Sequence, residues 1–317
     1  MQTLLFILRQ TLSFSIPLLI VALGGTFSVR SGITNIGLEG MMVMGALTSI
    51  SFVRMTQDNI SSQNQLLVAI IISIIAGMLI SLLHAFASVN LKADQIISGQ
   101  AINTFAPAFS VFVSRIIFGE QIIVFNNTFR IDEIPLLSKI PIIGDIFFKD
   151  TYITTYLGII IYLISSFVLF KTRFGLRLRA CGEYPQAPDS VGINVSKMRY
   201  IGVLISGALC GLGGLVYVVP NSTNFNSTVF GYGFLAMAVM IFGQWHPTKI
   251  LFASLFFGLL MTFSSTYSGI PFLVSLGIPS NYYKILPYAM TLIILVFNVS
   301  SSKEPAAAGK PFEKGMR

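Results

Sequence analysis

Charge is scarce in this sequence. Asp, Glu, Lys and Arg make up only 10% of its 317 residues, against about a quarter in an ordinary soluble domain, so a water-facing surface of normal composition is excluded. Cysteine and histidine are rarer still. Cys181 and Cys210, with His84 and His246, are the whole complement, which implies no disulfide framework and no zinc-type ligand cluster. The sequence has no Gly-x-x-x-x-Gly-Lys-Ser/Thr loop. Its late Gly309-Lys310 is followed by Pro311 and has no strand before it, so the phosphate cradle of an ATPase is missing. No histidine pair, Ser/Lys dyad or Asp/Asp arrangement has catalytic spacing, so no catalytic residue and no metal ligand is assigned. His84, alone on an apolar run, reads as a packed or hydrogen-bonded side chain. No basic stretch precedes the first apolar run, so a cleaved signal peptide is not expected.

What fills the chain is apolar. Such residues reach 54% and mean hydropathy is +0.79. A membrane-crossing helix takes about 20 mainly apolar residues, because the backbone must satisfy its own hydrogen bonds in lipid. Clear stretches of that kind are 4–23, 66–89, 152–170, 200–219, 250–269 and 284–300, and less regular ones are 36–53, 96–114 and 231–243. The expectation is an all-α polytopic membrane helical bundle with about nine passes, some broken or re-entrant. One domain, 1–300, carries an external loop at 119–151 and a basic loop at 171–199, and a tail follows at 301–317.

Net charge is +8, yet its placement argues for topology rather than nucleic acid. Lys171, Arg173, Arg177, Arg179, Lys197 and Arg199 cluster in one interval, and Lys303, Lys310, Lys314 and Arg317 in the tail. Basic residues beside apolar spans mark the cytoplasmic side. Four spans separate the two clusters, so both placements agree, and the tail is expected in the cytoplasm. Counting back puts 119–151 outside, where Glu120, Asp132, Glu133, Asp145 and Asp150 outnumber the basic residues.

Three polar segments interrupt the apolar pattern. Residues 24–35 form a Gly-rich approach to the helix carrying Glu39, with Asn35 and Glu39 one turn apart on one face. An acid so near a span faces a bundle interior, a partner or a cavity. The two readings are a place beside the solute path and an interhelical anchor to Arg30. A proton relay would want more buried carboxylates. In the second segment, Gln95, Ser98, Gly99, Ile102 and Asn103 share a helical stripe, whose uncharged donors and acceptors suit a neutral polar solute. Ordinary polar packing between helices is the other reading. The third runs from Gly175 to Asn194. Pro185 fits the first position of a short helix and Gly192 lies just past its end, which makes a surface element suited to docking a partner. Residues 221–233 are also polar and precede an apolar run of only 13 residues, too short to span unaided.

The stretches RSGITNIGLEGMMVMGAL (30–47), ADQIISGQAIN (93–103), IPLLSKIPIIGDIFF (134–148), GLRLRACGEYPQAPDSVGINV (175–195) and GFLAMAVMIFGQWHP (233–247), with the ending KEPAAAGKPFEKGMR (303–317), run in order along the chain. Together they resemble the permease subunits of bacterial ABC importers for nucleosides and simple sugars, most of all the smaller of two paralogous permeases in basic-membrane-lipoprotein-type nucleoside systems. The resemblance implies a subunit of the cytoplasmic membrane, embedded in lipid, that pairs with a paralogous permease and is fed by an external substrate-binding lipoprotein. It also implies a separate ABC ATPase holding ATP and Mg, and no cofactor on this chain. Residues 183–192 would then be the coupling helix, with Glu183, Tyr184, Pro185, Asp189 and Gly192 as docking residues, and Asn35, Glu39, Gln95, Ser98 and Asn103 as path residues. Val29, Thr34, Gln100 and Pro188 depart from the family's pattern. An importer for a sugar such as ribose, or an ATP-independent carrier, is the alternative.

Overall fold

A computed structural model describes residues 2–135, 137–141, 143–277, 279–298 and 304–313. Thirteen α-helices are found among them. The long ones are α1 (Gln2–Arg30), α2 (Leu38–Thr56), α3 (Ser62–Val89), α4 (Gln95–Phe118), α6 (Ile153–Lys171), α9 (Val195–Asn221), α11 (Pro247–Thr266) and α13 (Ser280–Asn298). Between them lie the shorter α5 (Ile143–Phe147), α7 (Arg173–Glu183), α8 (Gln186–Ser190), α10 (Tyr232–Phe242) and α12 (Pro271–Ser275). Seven helices, namely α1, α2, α3, α4, α6, α9 and α11, are long and apolar enough to cross a membrane. With the short α10 and with α13 they correspond to the nine expected passes. Residues 299–300 of the last expected pass, and 301–303 and 314–317 of the tail, lie outside the described residues.

Helix α1 is the axis of the bundle, and almost every side chain from Phe14 to Val29 is buried. Helix α9 packs beside it and also against α2 and α3. Small residues let these backbones approach. A Cβ on Gly77 of α3 would stand 2.0 Å from the Gly207 carbonyl of α9, and one on Gly211 2.2 Å from the Ser73 carbonyl. Only glycine permits that contact, which replaces hydrophobic driving force where lipid is as apolar as leucine. Several buried hydroxyls are satisfied within their own helices. Ser15 donates to the Thr11 carbonyl at 2.6 Å, Thr26 to Ala22 at 2.8 Å and Ser49 to Gly45 at 2.6 Å.

The outer helices show what meets lipid. On α3 the exposed positions include Leu67, Ile71, Ile75, Leu79, Leu83 and Phe86, and on α6 Ile160, Leu163, Ile164 and Phe167. No polar residue interrupts either set. Two small antiparallel ladders close one end of the bundle: β1 (Ile123–Val124) with β4 (Asn224–Phe225), and β2 (Ile131–Glu133) with β3 (Lys149–Thr151). The start of α1 belongs to the same end, since Arg9 pairs with Asp150 at 2.5 Å. The opposite end carries α7, α8 and residues 304–313, whose Ala307 N–H donates to the Gly182 carbonyl at 2.9 Å.

Three sequence expectations change. Residues 24–30 are the last turns of α1, not a polar approach, because Gly24 and Gly25 are contact glycines against Leu209 and Met240; the interruption is confined to 31–37. The expected basic loop holds an 11-residue helix, α7, with Gly175, Leu178, Cys181 and Gly182 on its buried face. The loop at 119–151 contains three strands, a short 3-10 turn (Leu137–Lys139) and α5.

Candidate functional site

The break between α1 and α2 begins at Gly32, whose φ of +96° is open to glycine without strain. Beyond it the chain is too short of local partners to satisfy its own N–H groups, so side chains from elsewhere do so. The Thr34 N–H donates to Gln95 Oε1 at 2.7 Å. The Gly37 N–H donates to Asn35 Oδ1 at 3.0 Å, while Asn35 Nδ2 donates to Ser206 Oγ at 3.0 Å. Asn103 spans the segment, accepting from the Gly40 N–H at 2.8 Å and donating to the Ile36 carbonyl at 2.9 Å. Helix α4, which presents Gln95 and Asn103, is itself capped by Asp94, which accepts from the N–H groups of Ile96 and Ile97.

Helix α10 starts deep in the bundle after a turn with Phe230 at φ +53° and Gly231 at +80°. Its own N-cap supplies no side-chain bond. Glu39 of α2 does so instead: Oε1 accepts from the Gly231 N–H at 2.8 Å and Oε2 from the Gly233 N–H at 2.6 Å. The carboxylate therefore sits at two helix N-termini, its own and that of α10, where the macrodipole favours negative charge. Glu39 is only 7% exposed. Its partner is backbone, not Arg30. The loop before α10 is tied to α4 as well, since Ser110 donates to Ser227 at 2.9 Å.

Four of the five expected path residues thus converge on 34–40 and the start of α10. Ser98 turns away and meets His84 Nδ1 at 3.0 Å. The stripe Gln95, Gly99, Ile102, Asn103 is the buried face of α4. On the other face Gln100 and Thr104 are exposed, one turn apart, between Ile96, Ile97 and Phe105. That is a polar interruption of a kind that α3 and α6 lack. Ser206, Gly231 and Gly233 were not singled out in the sequence, and their distance along the chain from Asn35 and Glu39 leaves no local signal.

At the opposite end Pro185 caps α8 and Gly192, at φ +80°, follows it. Tyr184 is 64% and Val191 74% exposed, and Leu176 of α7 is nearly as open. Large apolar side chains exposed beside arginines, away from the apolar spans, have the composition of a protein-contact surface. Residues 304–313 pack along its edge. Arg199, wholly buried, donates to the Lys310 carbonyl at 2.9 Å, and Lys92 pairs with Glu313 at 2.7 Å. Burial pushes the Cys181 thiol up to about 11. Burial lowers the pKa of His246, and the charges of Arg30 and Lys249 lower it further.

The family model described as branched-chain amino acid transport system / permease component matches residues 7–295. The chain is 43% identical to the guanosine ABC transporter permease protein NupQ of Bacillus subtilis over 318 residues, covering 100% of this chain and 99% of the relative. It is 42% identical to the nucleoside ABC transporter permease protein NupC of Lactococcus lactis over 99% of this chain and 98% of the relative. A putative glucose ABC transporter permease protein, TsgC13 of Haloferax volcanii, is 31% identical over 80% of this chain and 75% of its own length. No solved structure matches the chain.

Proposed function

The chain belongs to the branched-chain amino acid transport system / permease component family, and on that premise we propose that it is the membrane-spanning permease subunit of an ATP-driven importer that carries nucleosides across the cytoplasmic membrane. The observation that carries the reading is the docking surface at the basic end, where a short helix with exposed Tyr184 and Val191 is held on the end of the bundle. In this reading that end lies in the cytoplasm with residues 304–313, following the positive-inside rule. Glu183, Tyr184, Pro185, Asp189 and Gly192 receive a separate ATPase, on which ATP and Mg reside. A paralogous permease completes the path, and an external lipoprotein delivers the solute at the end that carries 119–151.

Transport proceeds by alternating access. Closure of the ATPase moves α8, and the bundle passes from outward-facing to inward-facing. Asn35, Glu39, Gln95 and Asn103 act at the path by holding its wall, because each bonds the broken segment or the start of α10, while Ser98 ties α4 to α3 through His84. A nucleoside is favoured as solute by the two relatives that match nearly end to end, a guanosine and a nucleoside permease. A simple sugar is the second reading, supported by the more distant glucose permease.

The test is reconstitution of the chain with the subunits that co-purify with it. Wild-type complex should accumulate guanosine in proteoliposomes only with ATP, and Tyr184→Asp with Asp189→Arg should release the ATPase and abolish uptake. Uptake by this chain alone, or full ATPase retention in the double variant, would refute the reading. Glucose or ribose competing as well as guanosine would favour the sugar importer.

A further inference from the structure

The two ends of α10 are held by charges from different helices. Glu39 holds its beginning. Its end is a turn in which Gln244 (φ +49°) and Trp245 (φ +53°) both occupy the left-handed region, consecutive and neither of them glycine. Such a conformation persists only where surrounding contacts over-determine it. The Trp245 N–H closes back on the Met240 carbonyl at 3.2 Å, and its indole is buried with Nε1 unpartnered. The Trp245 carbonyl accepts twice from one guanidinium: Arg30 Nε at 3.3 Å and Arg30 NH2 at 3.2 Å. The remaining arm of that guanidinium, NH1, lies 3.4 Å from Glu183 Oε1. Glu183 Oε2 in turn accepts from the Ala306 N–H at 3.4 Å. Glu183 stands immediately before Tyr184 and Pro185, where α8 begins.

We infer that Arg30 is a positioning residue for transport, a two-sided clip that passes displacement of the docking helix to the strained turn ending α10. The inference rests on the reading of α8 as the ATPase docking helix. The planar fork matters, because a guanidinium can bond a carbonyl on one edge and a carboxylate on the other while a lysine ammonium cannot hold both in a fixed geometry. The side chain is largely buried while Glu183 is half exposed, so the inner bond is shielded from water and the outer one reaches the surface that the ATPase would cover. Helix α10, pinned at its other end by Glu39, would be rotated or released as a body rather than bent.

The experiment uses the assembled complex in proteoliposomes, with guanosine as probe, and reads uptake per ATP hydrolysed. Arg30→Gln should leave the complex assembled and hydrolysing ATP while uptake per ATP falls about tenfold, within the usual span of coupling between sites. Arg30→Lys should recover part of the loss. Glu183→Gln should give a similar loss, and the double variant should be no worse than either single one, as for two members of one link. Trp245 is the chain's only tryptophan, so emission of the purified chain should shift to the red in Arg30→Gln as the turn loosens. An unchanged ratio, losses that add in the double variant, or unchanged emission would overturn the inference while leaving the importer reading intact. A wild-type complex that imports without ATP would sink both.

Discussion

Replacing Glu39 tests whether a side chain 192 residues away caps α10. The carboxylate accepts two backbone N–H groups, at 2.8 and 2.6 Å, and Glu39 itself is buried. Neither donor has a side-chain acceptor of its own helix to fall back on. Glu39→Ala leaves both unpaired, at about 1–3 kcal/mol for each buried orphan, so the loss should be about 2–6 kcal/mol. Glu39→Gln keeps one acceptor oxygen but aims an NH2 at the second N–H, so it should lose about half as much. The assay is thermal unfolding of the purified chain in detergent, followed by far-ultraviolet circular dichroism. At about 2–4 °C per kcal/mol for a large domain, alanine should lower the midpoint by about 4–24 °C, with glutamine between it and wild type. If Glu39→Ala melts within about 2 °C of wild type, the carboxylate is not the cap of α10 and the description of the broken centre fails.

Two further outcomes follow from packing and titration. Gly77→Ala drives a Cβ to 2.0 Å from the Gly207 carbonyl, so α3 and α9 must part at a cost of about 1–3 kcal/mol; Gly269→Ala, which meets nothing within 4 Å and has no positive φ, should melt within about 0.5 kcal/mol of wild type. The Cys181 thiol, pushed up to about 11 by burial, is protonated at neutral pH, and only the thiolate attacks maleimide. Labelling of folded protein should therefore be negligible at pH 7 and rise only as pH approaches 11. Rapid reaction at pH 7 would mean the thiol is open and of ordinary acidity.

Much of the architecture was written locally. The hydropathy of the spans located the long helices, and Pro185 and Gly192 bounded α8 to within a residue, because a proline start and a left-handed glycine stop are backbone constraints. Apart from Ser98, which leaves it for His84, the stripe from Gln95 to Asn103 follows the helical period, and period alone identified it as one face. Where local signals misled, a residue had a second use. Gly24 and Gly25 look like a break, yet close packing also demands small residues, and only the neighbours Leu209 and Met240 decide between these. The arginines of α7 concealed an amphipathic helix whose buried positions, Gly175, Leu178, Cys181 and Gly182, do keep helical spacing. Partners were illegible altogether. Nothing near Glu39 points to Gly231, and nothing near Arg30 points to Glu183.

The same fact explains why buried polarity is a poor guide to a solute path in such a protein. A helix that begins or ends at membrane depth leaves backbone N–H or C=O groups that lipid cannot satisfy. The strongest available cap is a charged or amide side chain from another helix, bonded to backbone. Glu39 caps α10 at its start and Arg30 holds the turn that follows its end; Asn35, Gln95 and Asn103 do the same for 34–40. Each is buried because its work is there. A residue that meets solute must instead keep unspent hydrogen-bonding capacity on an open face, as Gln100 does on α4, where the exposed positions from Leu67 to Phe86 of α3 and from Ile160 to Phe167 of α6 are all apolar. Polarity bonded to backbone frames the broken segments, and polarity on an open face stays free for a solute or a partner.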